Sequence, residues 1–271
     1  MNIILSKKYI FKKKFGQNFL CKNSIINKII NIIHPKKNEL LIEVGPGLAA
    51  LTKPICQILD NLIVIELDQE LSQLLHQSSF SKKIDIFVQD MNIFNFKKVS
   101  IQQNKLLRIF GNLPYNISVK FILYLINFRK YIFDMNFMVQ KEVAERFVAH
   151  PGSKSYGRLS VITQCYYDIF VYFNVLPASF FPTPKVQSSF IKIIPKILPL
   201  YPHNQVNDLN IITSESFKQR RKILQNSLSS IFKKEILLYL GINPLLRAEN
   251  VSVFDYCKLA NFFHISKDNN I

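Results

Sequence analysis

"LLIEVGPGLAALT", residues 40 to 52, is a strand-length apolar run closed by Gly45 and Gly47 and followed by a helix-like stretch. Glycines there permit a tight turn and let the backbone approach a ligand. The carboxyl end of a strand is also where open α/β sheets bind ligands. Three more runs of the same kind follow: "LIVIE" from Leu62, "IDIFV" from Ile84 and "LLRIF" from Leu106. The four begin 22 residues apart, and helix-like segments such as "LSQLLHQ" fill several of the gaps. That alternation predicts an α/β fold with a mostly parallel, Rossmann-like sheet and crossover helices.

Further along, "SVKFILYLINF" reads as a helix, "MNFMVQ" as a fifth strand, and "KEVAERFVA" and "SVITQCYY" as helices. "IFVYFNV" and "SSFIKII" are strand-like and have only the proline-rich "LPASFFPTPKV" between them, so they predict an antiparallel pair at one sheet edge. Pro195, Pro199 and Pro202, with "HNQVND", mark a linker. Beyond it "FKQRRKILQNSL" and "FDYCKLANFF" have helical spacing. The expected organisation is a catalytic domain over 1–200, with a basic N-terminal segment, and a small all-helical domain over 205–271.

The chain carries a formal net charge of +17, and nine lysines precede the first acidic residue, Glu39. A polyanion is the first partner to consider. An AT-rich coding bias toward Lys, Asn, Ile and Phe would raise the charge in the same way. The apolar stretch at the start, "MNIILSKKYIFKKKFG", is too short for a secretory signal and has its lysines on the wrong side, and no apolar run is long enough to span a bilayer. A cytoplasmic protein is expected. Cys21, Cys56, Cys165 and Cys257 are scattered, without a CxxC pair, and read as reduced thiols and not as a metal site.

Three strands end in groups that suit a nucleotide-type cofactor. Gly45 closes the first, and Glu66 ends the second, 21 residues later, where a carboxylate accepts hydrogen bonds from both ribose hydroxyls of an adenosine. Asp90 ends the third in "FVQDMNIF", within reach of an adenine amine. "GPGLAA" also fits GxGxxA, which keeps an NAD-dependent oxidoreductase open. Against it, Pro46 removes an N–H from a loop that would have to cradle a pyrophosphate. S-adenosylmethionine has no phosphate and needs the ribose acid, an apolar adenine slot and a strand-end pocket.

The fourth strand runs into "FGNLPYNIS", residues 110 to 118. The exocyclic amine of adenine is a poor nucleophile, so methylating it requires in-line alignment and acceptors for its two protons. The Asn112 side-chain oxygen is one acceptor, and the carbonyl of Leu113 or of Pro114 is the other. Tyr115 can stack on a base flipped out of its helix. A rigid turn with a packed tyrosine is the plainer reading of the same residues.

The ordered set "KKKFGQNFL", "EVGPGLAALT", "VIELD", "QDMNIF", "GNLPYNIS", "QKEVAERF", "FFPTPKVQSSF" and "FKQRRKILQNSL" resembles the bacterial small-subunit (16S) ribosomal RNA adenine dimethyltransferases. That family is related to the erythromycin-resistance methylases and to mitochondrial transcription factor B. The resemblance implies cofactor contacts at Asn18, Leu20, Gly45, Glu66, Asp90 and Asn112. It implies a target adenine between Tyr115 and Phe180, with Phe181 as the neighbouring candidate. It further implies transfer of two methyl groups from S-adenosylmethionine to each of two adjacent adenosines in a hairpin loop near the 3′ end of 16S rRNA within a small-subunit precursor particle, with no metal. "LAALT" lacks a further glycine usual in that loop. Lysines before Phe15, Lys185 and the group Lys218, Arg220, Arg221 and Lys222 are candidates for phosphate contacts. The "RRK" pattern, read as part of a helix, favours the small-subunit enzyme over a large-subunit methylase. A non-enzymatic ribosome-assembly factor on the same fold is a further alternative. No oligomerisation heptad appears, so a monomer is expected.

Overall fold

The computed structural model describes residues 17–202 and 205–268. Two compact units divide the chain: one runs to Ala144 and adds Phe170–Pro195, the other comprises Glu145–Ile169 and Lys196 onward. The second unit resumes at Lys196, ahead of the 200–205 expected from the sequence, and residues 145–169 cluster with the C-terminal helices.

The first unit opens with a two-residue strand, β1 (Phe19–Leu20), and helix α1 (Asn23–Ile33). In α1 the residues Ile26, Ile29 and Ile33 recur at helical spacing and are buried, and His34 closes the helix in the left-handed region at φ 47°. Then come β2 (Leu40–Val44), α2 (Thr52–Ile55), β3 (Leu62–Glu66), α3 (Gln69–His76), β4 (Ile84–Val88), α4 (Phe96–Gln103), β5 (Leu107–Asn112), α5 (Ser118–Tyr124) and β6 (Ile132–Gln140). Helix α6 (Lys141–Phe147) and α7 (Arg158–Tyr166) precede β7 (Tyr167–Val175), the two-residue β8 (Phe180–Phe181) and β9 (Ser188–Pro195). The stretch expected as a single helix after residue 118 is α-helical only to Tyr124 and continues as a tighter 3₁₀ coil to Tyr131.

Seven strands form one sheet in the order β4-β3-β2-β5-β6-β9-β7. The pairs β2–β3, β3–β4, β2–β5 and β5–β6 are parallel, and β9 runs antiparallel to β6. Chain order reverses between β2 and β5, which makes the carboxyl ends of those strands the switch point where such sheets bind ligands. A Cβ on Gly111 would stand 2.2 Å from the Val44 carbonyl oxygen. Glycine at 111 therefore lets the end of β5 lie against the end of β2, and this closeness delivers Asn112 to the loop that follows β2.

At the opposite end of the strands Arg108 is buried. It pairs with Asp134 through Nε and Nη2, both at 2.8 Å, with Glu39 at 2.6 Å, and with the Ile33 carbonyl at 2.7 Å. One guanidinium thus ties together α1, the residue that leads into β2, and strands β5 and β6, and removing a partner from such a buried cluster costs about 3–5 kcal/mol.

In the second unit α8 (Val206–Lys218), α9 (Leu224–Ser227), α10 (Lys234–Tyr239) and α11 (Val253–Asp268) follow, and α11 packs on α7 and α8. "FKQRRKILQNSL" is not one helix. The helical hydrogen bonding stops at Lys218, Gln219 leaves the helical region at φ −126°, ψ 67°, and Ile223 is extended and bridges to Arg247. Arg220, Arg221 and Lys222 sit in that turn.

Candidate active site

A cavity opens at the carboxyl ends of β2 to β5, lined by Asn18, Leu20, Gly45, Glu66, Asp90 and Asn112 and also by Leu113, Pro114 and Tyr115. The candidates proposed from separate motifs across almost a hundred residues share one enclosure.

The loop after β2 takes its shape from three left-handed residues, Gly45 at φ 66°, Gly47 at 55° and Ala49 at 63°. The Gly45 N–H donates to the Ile65 carbonyl at 2.9 Å, which fastens the loop to β3. A Cβ on Gly47 would come within 2.6 Å of the Phe19 ring. Phe19 lies within "KKKFGQNFL" but received no role of its own there; it walls the cavity and explains why the second glycine is needed.

Glu66 is buried at 6% exposure, and its two oxygens are aimed by backbone amides: Asp68 N–H donates to Oε1 at 2.9 Å and Gly47 N–H to Oε2 at 3.3 Å. Burial raises its pKa, with the amides working the other way. Each oxygen retains a lone pair for a ligand hydroxyl. Asp90 accepts from Asn92 N–H and Nδ2, both at 2.8 Å onto Oδ1, so its second oxygen is left for the cavity. Glu43 also lines the cavity. Burial lifts its carboxyl to about 8, the hydroxyl of Thr52 opposes this and the charge of Glu66 adds to it.

Asn112 donates through Nδ2 to the Asn18 main-chain oxygen at 2.6 Å. A carbonyl can only accept, so the amide's NH₂ end must face Asn18 and Oδ1 must face elsewhere. Pro114 is already engaged: its carbonyl accepts from Ile117 N–H at 3.2 Å and Ser118 N–H at 3.1 Å, starting α5. The carbonyl that the helix start does not use is that of Leu113. Tyr115 is partly exposed, its hydroxyl meets Ser188 Oγ at 2.6 Å, and burial raises its pKa, so the phenol stays protonated near neutrality.

Phe180 and Phe181 are separated by the alternation of β8. Phe181 is opposite Phe19 and Phe180 is opposite Leu20 in the antiparallel pair with β1. Neither ring is part of the cavity lining: Phe180 is 3% exposed and lies in the core with Leu20, whereas Phe181 is 49% exposed on the face it shares with Phe19. Lys185, Lys218, Arg221 and Lys222 are exposed. Arg220 is partly committed, since Nη2 donates to the Tyr156 carbonyl at 2.6 Å. The lysines before Phe15 lie outside the described residues. Among the described residues no cluster of His, Cys, Asp or Glu is placed to hold a metal ion.

The family model described as "Ribosomal RNA adenine dimethylase" matches residues 9–264. The chain belongs to the ribosomal RNA adenine dimethylase family. It is an enzyme of the methyltransferase class. A relative from Buchnera aphidicola subsp. Acyrthosiphon pisum (strain APS), named "Ribosomal RNA small subunit methyltransferase A", is 52% identical over 98% of this chain and 97% of its own length. One of the same name from Escherichia fergusonii is 44% identical over 97% and 96%. Among solved structures, a dimethyladenosine transferase from Plasmodium falciparum superposes with a TM-score of 0.76 at 23% identity, covering 92% of this chain and 98% of that one. The 23S rRNA methyltransferase ErmE does so at 0.67 and 20%, covering 91% and 100%. These two structures establish the dimethylase fold for the strand order described above.

Proposed function

We propose that the chain transfers methyl groups from S-adenosylmethionine to the exocyclic amines of two adjacent adenosines in the 3′ hairpin loop of 16S rRNA, two to each, within a small-subunit precursor particle. The observation that carries the choice of RNA is the identity of 44–52% across nearly the whole chain to proteins named for the small subunit. The likeness to ErmE, at 20% identity, is one of fold.

The cavity's charges favour a sulfonium cofactor over a dinucleotide. Glu66 and Asp90 line it, and no lysine, arginine or histidine stands among the described lining residues. A pyrophosphate would meet carboxylates with no cation to offset them. A cationic cofactor is complemented by the same groups. Glu66 would take the ribose hydroxyls, Asp90 the adenine amine, and the backbone at Asn18, Leu20 and Gly45 the remainder. When bound, the cofactor supplies an already activated methyl group, so the protein's task is orientation and exclusion of water.

Asn112 Oδ1 and the Leu113 carbonyl are the two acceptors we assign to the protons of the target amine. Holding both protons in the acceptor plane turns the nitrogen lone pair toward the methyl donor. Tyr115 stacks on the flipped base. For its other face Phe181 is the better candidate than Phe180, because it is the one with an exposed ring. The RNA backbone falls to Lys185 and to basic residues such as Lys218, Arg221 and Lys222. We place the enzyme in the cytoplasm as a monomer.

The test is transfer of methyl-labelled S-adenosylmethionine to unmethylated small and large ribosomal subunits side by side. Label in dimethyladenosine of the small-subunit RNA alone supports the proposal. Label confined to the large-subunit RNA refutes it.

A further inference from the structure

Resting on the reading of Tyr115 as the base-stacking ring, we infer that Ser188 is a positioning residue that fixes where that ring stands. Ser188 is the first residue of β9 and is fully buried. Its backbone is locked on both sides: it pairs with Gln140 of β6, and the preceding Gln187 carbonyl accepts from Lys141 N–H at 2.9 Å. Alternation along the strand sends the adjacent serines to opposite faces. Ser189 Oγ donates to Asn174 of β7 at 2.7 Å, and Ser188 Oγ meets Tyr115 Oη at 2.6 Å. The two serines of "QSSF" therefore serve different elements, and only the first bonds a residue that lines the cavity.

The mechanical consequence follows from the shape of tyrosine. Its hydroxyl lies at the far end of the ring on the Cβ–Cγ axis, so a hydrogen bond there arrests the swing of the ring about χ1 while leaving rotation about that axis free. The near end is held too, since Ser118 Oγ donates to the Tyr115 carbonyl at 3.2 Å. A ring pinned at both ends is already in place before the base arrives, and the ordering cost is not incurred on capture. Ser188 also ends the segment that carries Phe181, so the same bond couples the two sides proposed for the base slot.

The experiment is a double-mutant cycle over Ser188→Ala and Tyr115→Phe, with unmethylated small subunits as substrate and S-adenosylmethionine affinity measured separately. Each single variant should lower kcat/KM for the subunits by about fivefold to tenfold, the worth of one hydrogen bond, mainly through KM. Cofactor affinity should stay unchanged. The double variant should be no worse than either single one. Independent, multiplicative losses would mean that Ser188 acts only through general stability and would overturn the inference. If Ser188→Ala does not fold, Tyr115→Phe decides alone, because full activity in it leaves the hydroxyl pair without a role. Normal activity in Tyr115→Ala would instead remove the stacking assignment itself. A defect in Tyr115→Ala alongside normal Tyr115→Phe and Ser188→Ala would remove only the role of Ser188.

Discussion

Asn112 Nδ2 donates to the main-chain oxygen of Asn18 at 2.6 Å, joining the end of β5 to the segment that enters β1. This bond decides which way the amide faces. With the NH₂ group held by a carbonyl, Oδ1 is left as the acceptor that the proposed reaction asks of it.

Asn112→Ala should therefore abolish methyl transfer, with a loss of about 100-fold or more, the scale set by misorienting a reacting group. The variant should keep its fold, because Asn112 is only half-buried at a strand end. Asn112→Asp should not rescue it, since a carboxylate cannot donate to the Asn18 carbonyl. Initial rates alongside far-UV circular dichroism check both points.

Phe180 and Phe181 should separate cleanly. Phe180→Ala removes a core ring and should cost about 3–5 kcal/mol of stability. Phe181→Ala should leave the melting temperature nearly unchanged and weaken subunit binding by about tenfold or more, as loss of one stacking partner does. The reverse pattern in a thermal-melt and binding comparison would place the base against Phe180.

Glu66→Ala should weaken S-adenosylmethionine by about 10- to 100-fold, the range for hydrogen bonds to a charged group. Calorimetric titration reads this directly, and an unchanged affinity would mean the ribose sits elsewhere.

Glu43 sets a pH dependence. Its carboxyl is raised from 4.5 to about 8 by burial, against the pull of the Thr52 hydroxyl. A raised carboxyl contributes stability that is full below the unfolded value and is lost as the pH climbs through the folded one. The window is thus about pH 4.5 to 8, and the cofactor-free enzyme should weaken across it by an amount on the order of a few kcal/mol. Glu43→Gln should flatten this slope and melt higher than the parent at pH 8.5. Parallel slopes for the two proteins would show that Glu43 does not carry the effect.

Much of the site was legible because its signals are local. The 22-residue pacing of the strands placed Gly45, Glu66, Asp90 and Asn112 at neighbouring strand ends, and parallel pairing carried them into one cavity. What escaped depends on contacts between distant segments. Phe19 and Phe181 meet through strands of two residues each, too short to show a period. The bond between Tyr115 and Ser188 spans 73 residues and joins types common in any chain. The choice between the carbonyls of Leu113 and Pro114 turns on which one starts α5, a matter of backbone geometry. "FKQRRKIL" has good helical spacing, but the bridge from Ile223 to Arg247 takes its backbone out of the helix, and tertiary pairing overrides propensity there.

The reaction and its RNA are read most directly from a map of N6,N6-dimethyladenosine in ribosomal RNA from cells with and without this gene. Two adjacent dimethyladenosines in the 3′ hairpin loop of 16S rRNA should vanish when the gene is removed and return with the intact gene, but not with Asn112→Ala. An unchanged 16S map, or a loss confined to 23S rRNA, would contradict the proposed function.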